Sequence, residues 1–160
     1  MKTLIAYATN HGATKRYAEA LAARLAGDTV LIDLKQQPPP DLRAFDTVVV
    51  GTAIYYGQPQ KAAKDFCARN LEQLRMKRLG LFICSLIAEQ ADSALKTAFP
   101  AELQESAVAK GMFGGEMIMN KLGFAERLIA RAVTKGNKDL SKFSEEPLAA
   151  FASALASDRT

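Results

Sequence analysis

The chain has 160 residues, of which 49% are hydrophobic and 24% charged, and its formal net charge is +4. This length and composition predict one domain spanning residues 1–160, large enough to bury a full sheet with helices on both faces. No apolar run approaches the roughly 20 residues that a membrane-spanning helix needs, and residues 1–3 lead into a strand-type pattern rather than a secretion signal. We therefore expect a cytoplasmic protein.

The first strand-type segment is followed by a polar turn. Residues 2–8 predict a buried strand, and residues 14–26 have apolar side chains at helical spacing. The turn between them reads Thr9-Asn10-His11-Gly12-Ala13-Thr14. Hydroxyls, an amide and a glycine before a helix are typical of a phosphate-binding loop, because the first N–H groups of the helix lack partners and carry partial positive charge. The same residues also favour a simple cap supplied by Thr9, Asn10 or Thr14, without a ligand.

Strand-type and helix-type segments alternate along the rest of the chain. Further strands are predicted at residues 29–33, 47–51, 79–84 and within 107–113. Helices are predicted at residues 60–71, 91–98 and 145–156, and the proline-rich residues 35–41 must form a loop. Short, wholly apolar strands separated by helices indicate an α/β fold with three layers and a doubly wound, five-stranded parallel sheet, because strands covered on both faces lose their polar alternation.

In such a sheet, ligands bind beyond the carboxyl ends of the strands, where the winding reverses. Two adjacent aromatic residues occur in the turn after the third strand, Thr52-Ala53-Ile54-Tyr55-Tyr56-Gly57. Small and apolar residues follow the fourth strand, Ser85-Leu86-Ile87-Ala88. With the phosphate-type loop, these turns predict a ligand that has a phosphate at one end and a flat ring at the other, as in a mononucleotide. Tyr55 and Tyr56 could also pack within the turn and leave their hydroxyls in water.

These three loops, in this order, resemble the three FMN-binding loops of the flavodoxins. The second loop, Gly51-Thr52-Ala53-Ile54-Tyr55-Tyr56-Gly57, is most similar to that of the menaquinone-dependent protoporphyrinogen oxidase branch. The basic and apolar residues 117–138 also resemble a segment of that branch. The resemblance implies a flavodoxin-like sheet with strand order 2-1-3-4-5 and FMN as the cofactor.

The resemblance also implies a role for each loop. Thr9, Asn10, Gly12, Ala13 and Thr14 would hold the FMN phosphate, and His11 lies in the same loop. Residues 52–57 would line one face of the flavin ring, with Tyr55 or Tyr56 stacking on it, and residues 85–88 would follow the ring edge and the other side. The flavin would carry the chemistry, so no catalytic side chain is required. Glu89 could assist a proton transfer or be a solvated loop charge.

Two functions follow from this resemblance. One is an oxidoreductase that passes electrons from a porphyrinogen to a quinone, and the other is a diffusible electron carrier with a protein redox partner. A carrier usually presents an acidic surface, so the net positive charge favours the enzyme. Residues 117–138 place basic side chains opposite apolar ones, a pattern that suits an anionic membrane at its inner face, an acidic partner, or an ordinary surface helix.

Other classes of site lack their sequence signals. The two thiols, Cys67 and Cys84, form no CxxC motif, and burial explains them better than redox chemistry or metal binding. His11 is the only histidine, so we expect no metal site. Neither GxGxxG nor GxxxxGK occurs, and no nucleic-acid recognition motif accompanies the basic charge, so we expect no nucleic-acid partner.

Overall fold

The structure is a computed structural model that describes residues 2–9, 12–55, 58–85, 91–114, 116–117, 140–141 and 145–156. Its strands are β1 (Lys2–Ala8), β2 (Asp28–Asp33), β3 (Thr47–Tyr55), β4 (Gln58–Pro59), β5 (Arg78–Ser85), β6 (Ala109–Gly114), β7 (Glu116–Met117) and β8 (Leu140–Ser141). Its helices are α1 (Ala13–Arg24), α2 (Lys61–Arg69), α3 (Leu71–Arg75), α4 (Ala91–Ala98), α5 (Ala101–Ser106) and α6 (Glu145–Ala156), with a 3-10 helix at Leu42–Ala44.

The central sheet has the strand order β2-β1-β3-β5-β6, and all four of these pairings are parallel. The short strand β4 folds back antiparallel on the end of β3. Because β5 and β6 are the fourth and fifth long strands, this is the predicted order 2-1-3-4-5. The predicted doubly wound α/β fold is confirmed.

Alternating side chains of each strand enter two separate hydrophobic cores. On β3, Val48 and Val50 pack into the core beneath α2 to α5, whereas Val49 packs into the core beneath α1 and α6. All three valines are fully buried. A strand buried on both faces must be apolar at every position, which explains why the sequence shows an unbroken valine run instead of alternation.

Aromatic rings fill the core beneath α1 and α6. The rings of Phe82, Phe113 and Phe151 contact one another with centroid separations of 5.0–5.9 Å, and Tyr17 stacks on Phe113 at 4.9 Å. The glycines of the neighbouring strands make room for these rings. A Cβ at Gly51 would overlap the Phe82 ring, and one at Gly80 would lie 2.8 Å from Phe151.

Several elements differ from the sequence prediction. The helix predicted at residues 60–71 is α2, which ends at Arg69 because Asn70 leaves the helical conformation and its Nδ2 donates to the Phe66 carbonyl at 2.9 Å. The short helix α3, which begins at Leu71, is not among the predicted elements. The third strand continues to Tyr55, and its turn contains β4. Helix α5 was not predicted.

The hairpin of β7 and β8 was not predicted either. Met117, the first residue of the predicted basic segment, lies in β7 and pairs with Leu140 of β8. Residues 118–138, the rest of that segment, lie outside the described residues.

Candidate functional site

The carboxyl ends of β1, β3 and β5 are neighbours in the sheet. Ala8 at the end of β1 pairs with Thr52, and Ala53 pairs with Cys84 near the end of β5. The segments that follow these strands therefore begin at one edge of the sheet, as the sequence analysis predicts. Thr9, Gly12, Ala13, Thr14, Thr52, Ala53, Ile54 and Ser85 are the predicted site residues whose placement is described in full at this edge.

The remaining predicted residues are only partly described or not described. Tyr55 forms the last residue of β3, where its backbone pairs with Gln58. The others lie outside the described residues: Asn10, His11, Tyr56, Gly57, Leu86, Ile87 and Ala88, together with Glu89.

The N-terminus of α1 is preceded by a glycine in the left-handed conformation. Gly12 is the residue before the first helical position, with φ +96°. Gly12 has no side chain with which to cap the helix, and the Thr14 hydroxyl makes no capping hydrogen bond, so Thr14 is not the simple cap that the sequence also allowed. Asn10, another candidate cap, lies outside the described residues. The Thr9 hydroxyl accepts a hydrogen bond from the Gly12 amide at 2.9 Å and so holds the turn itself.

The N-terminus of α1 has open space beside Gly12. The first N–H groups of a helix have no intrahelical acceptor, and the helix dipole places partial positive charge on them. A Cβ built at Gly12 meets no atom within 4 Å, so a ligand atom can approach the backbone at this point. Both features suit an anion.

The Thr14 hydroxyl is the most informative atom of the site. Thr14 is fully buried, and its Oγ1 has no nitrogen or oxygen hydrogen-bond partner among the described residues. The thiol of Cys84 lies beside it: burial raises the pKa of Cys84 to about 12, and a contact with the Thr14 side chain acts in the opposite direction. Sulfur is a weak hydrogen-bond partner, so this contact leaves the hydroxyl without a strong acceptor. A buried hydroxyl without a partner costs about 1–3 kcal/mol. A bound anion that accepts its hydrogen would remove this cost.

The Thr52 hydroxyl has a different role. Thr52 is also fully buried, but its Oγ1 accepts a hydrogen bond from the Gln60 amide at 3.0 Å and donates to the Ala53 carbonyl at 3.2 Å. These bonds tie the end of β3 to the start of α2. The side chain of Thr52 therefore shapes the second loop from within, while the half-buried Ala53 and Ile54 continue the strand toward Tyr55.

The structure adds one residue to this edge that the sequence analysis did not predict. The Lys35 ammonium donates to the Thr9 carbonyl at 3.2 Å and to Gln60 Oε1 at 3.3 Å. Lys35 follows β2, which lies beside β1. The predicted strand order already places the residue after β2 next to the first loop, and this signal could have identified Lys35.

The thiols lie in the interior, as predicted. Cys67 and Cys84 are 0% and 3% exposed, and burial raises the pKa of each to about 12. Within the described ranges, no three His, Cys, Asp or Glu side chains are grouped as metal ligands. None of the helices in those ranges is both long and apolar enough to cross a bilayer.

A family model described as "Flavodoxin domain" matches residues 4–144. The chain therefore belongs to the flavodoxin domain family. Two solved structures share its fold over almost the full length. A Streptococcus pneumoniae flavodoxin has a TM-score of 0.60 at 20% identity, with 98% of both chains covered. A short-chain flavodoxin associated with a bacterial microcompartment has a TM-score of 0.60 at 17% identity, covering 97% of this chain and 96% of the other.

Two curated relatives share the name protoporphyrinogen IX dehydrogenase [quinone]. The Leishmania major protein is 25% identical over 154 residues, which cover 88% of this chain and 67% of the relative. The Escherichia coli K12 protein is 27% identical over 95 residues, which cover 58% of this chain. The match spans about half, 52%, of the length of the Escherichia coli protein.

FMN is the cofactor of the flavodoxin family, and the described residues fit its phosphate. The Thr14 hydroxyl and the first N–H groups of α1 can donate to a terminal phosphate. The open space beside Gly12 leaves room for it. The predicted cofactor is therefore compatible with the described part of the loop.

Proposed function

We propose that this protein transfers electrons through FMN bound at the carboxyl edge of the sheet. The observation that carries the proposal is the Thr14 hydroxyl at the N-terminus of α1, which is buried and has no nitrogen or oxygen partner among the described residues. When bound, the flavin supplies hydride and single-electron chemistry. The protein positions the cofactor and controls what reaches it.

Each described part of the site has a task in this proposal. Thr14 and the first N–H groups of α1 bind the phosphate, and the Thr9 hydroxyl holds Gly12 in the conformation that exposes those groups. Thr52 fixes the β3 turn through Gln60, so that Ala53 and Ile54 form part of one wall of the site. Ser85, at the end of β5, begins the opposite wall.

We further propose that the substrate is a reduced porphyrinogen or a similar reductant and that the acceptor is a quinone. Support comes from the names of the two curated relatives and from the similarity of the second loop to the protoporphyrinogen oxidase branch. The basic residues 117–138 would bring the protein to an anionic membrane at its cytoplasmic face, where a quinone is dissolved. No tryptophan occurs in the chain, which suits a flavin ring left open on one face.

The second candidate function is a diffusible electron carrier with a protein redox partner and no substrate of its own. Membership of the flavodoxin domain family supports it as well as it supports the enzyme. The net charge of +4 would then select an acidic partner surface.

Two measurements test these proposals in sequence. Titration with FMN and FAD, followed by flavin fluorescence, should show about one FMN per chain and much weaker binding of FAD, because the site accepts a terminal phosphate. If the protein quenches the fluorescence of neither flavin, the cofactor assignment is refuted. Anaerobic turnover of the FMN-loaded protein with protoporphyrinogen and a menaquinone analogue then separates the two functions. Catalysed porphyrin formation supports the enzyme, and its absence, with rapid reduction by a flavodoxin reductase, supports the carrier.

A further inference from the structure

We propose that Lys35, from the loop after β2, is a charged ligand of the cofactor phosphate. This proposal rests on the proposed FMN site and extends it to a fourth loop. It also predicts that cofactor affinity in this protein depends on salt.

The contacts of Lys35 place its charge at the rim of the phosphate loop. Its ammonium donates to the Thr9 carbonyl at 3.2 Å, and the Thr9 hydroxyl accepts from Gly12, the residue that precedes α1. Thr9 thus connects the Lys35 ammonium to the turn that precedes α1. The second acceptor is Oε1 of Gln60, the residue that precedes α2 on the other side of β1.

The backbone also directs Lys35 to this position. The Lys35 amide donates to Asp33 Oδ1 at 3.0 Å, and the Leu34 amide donates to the Tyr7 carbonyl at 2.8 Å. These bonds hold the start of the loop against the end of β1. The long side chain then reaches over the strand end without a rearrangement of the backbone.

The Lys35 charge is not neutralised within the described part of the chain. Both acceptors of the ammonium are uncharged, and no described carboxylate lies within ion-pair distance of it. An ammonium group has three N–H donors, and the two contacts use two of them. The third donor and the full positive charge remain available for a ligand.

Two positive features therefore meet at one place. The N-terminus of α1 carries partial positive charge, and the Lys35 ammonium adds a full charge beside the same turn. A phosphate dianion bound beside both would be attracted by each, and a neutral ligand would not.

The test compares FMN with riboflavin, which lacks the phosphate, by fluorescence quenching in the wild type and in Lys35→Gln. At low salt the substitution should raise the Kd for FMN by roughly two- to fivefold, the range expected of one partly exposed ion pair, and leave the Kd for riboflavin unchanged. The difference should shrink toward zero at high salt, because added ions screen the interaction.

Three further variants sharpen the test. Lys35→Arg should retain wild-type FMN affinity, since it keeps the charge. Gln60→Glu should weaken FMN selectively, because its carboxylate would pair with Lys35. Lys96→Gln is the matched control: it removes one exposed charge from the last turn of α4 and should change neither ligand.

Each other outcome has a definite meaning. Equal losses for FMN and riboflavin in Lys35→Gln would show that Lys35 only holds the loops together, and this would overturn the proposal. Unchanged FMN affinity at low salt would overturn it as well. Failure of the wild type to bind FMN would instead refute the proposed function, so the two failures are distinguishable.

Discussion

The aromatic ring of Phe82 lies directly against the backbone of Gly51 on the neighbouring strand. The two residues are register partners between β5 and β3, and the ring occupies the position that a Cβ at residue 51 would need. Gly51 also opens the second cofactor loop in the sequence pattern. Core packing therefore explains why this position, the first of the loop pattern, carries no side chain.

We predict that Gly51→Ala destabilises the protein through this overlap. Forcing an extra methyl group into a packed core costs about 1–3 kcal/mol, which lowers the Tm by roughly 2–12 °C for a chain of this size. Thermal unfolding followed by circular dichroism measures the change. In a Phe82→Leu background the cost of Gly51→Ala should be clearly smaller, because the two residues are in contact. An equal cost in both backgrounds would contradict the packing explanation.

Thr14→Val should separate cofactor binding from folding. Valine keeps the shape of threonine and removes the unpaired buried hydroxyl, so the ligand-free protein should be equally stable or more stable by up to about 1 kcal/mol. FMN affinity should fall by about 1–3 kcal/mol, the value of a hydrogen bond to a charged group, and riboflavin affinity should not change. Denaturant unfolding and flavin titration provide the two measurements. Equal losses for both flavins would mean that Thr14 supports the loop without touching phosphate.

The buried thiols predict a loss of stability at high pH. Burial raises the pKa of Cys67 and Cys84 from 9.0 to about 12 in the folded protein. Below pH 9 both states keep these protons and the thiols cause no pH dependence. Between pH 9 and 12 the unfolded chain releases them first, so the free energy of unfolding falls by at most about 1.4 kcal/mol per pH unit for each thiol.

Equilibrium unfolding across this pH range measures the effect. The variant with both Cys67→Ala and Cys84→Ala should show a shallower decline, although it is less stable at every pH because of the lost volume. Parallel declines in the variant and the wild type would assign the pH dependence to other groups. In the native protein both thiols should also resist alkylation at neutral pH, because the thiolate is the reactive form.

The basic residues 117–138 predict binding to anionic vesicles. Changing Arg127, Arg131 and Lys135 together to Gln should weaken this binding by about 1 kcal/mol per charge, and wild-type binding should fade as salt rises. Co-sedimentation with anionic and neutral vesicles tests this, and FMN titration of the triple variant is the control. If the wild-type protein does not bind anionic vesicles at low salt, the membrane proposal is refuted and an acidic protein partner is favoured. Loss of FMN from the triple variant would show that the segment supports the cofactor site.

The five strands of the parallel sheet were predictable from the sequence because each contains a short run of apolar residues, a pattern that few other structures produce. Val48, Val49 and Val50 are an example, since only a strand buried on both faces needs three consecutive valines. The break at Asn70 was harder to predict. The residues around it have helical spacing, and the helix ends through a local side-chain bond to the Phe66 carbonyl that periodicity does not reveal.

The candidate site was predictable at the level of loops and less so at the level of atoms. The position of Thr14 follows from the strand-to-helix pattern, whereas its unpaired hydroxyl depends on the packing around it. Thr52 belongs to the loop that the sequence predicts, yet its hydroxyl bonds to Gln60, eight residues further along the chain. Lys35 opens a proline-rich loop with no ligand-binding pattern of its own, and its place at the site depends on the pairing of β2 with β1.

The edge strand β2 has a consequence for how molecules of this protein meet. It pairs with β1 on one side, and no described strand covers the other. Two copies joined antiparallel along this edge would set Asp28 of one beside Asp33 of the other at both ends of the shared ladder. Like charges directly opposite are unfavourable, and the turn that follows Asp33 ends the strand there. The charges at the two ends of β2 therefore disfavour antiparallel pairing of two copies along this edge of the sheet.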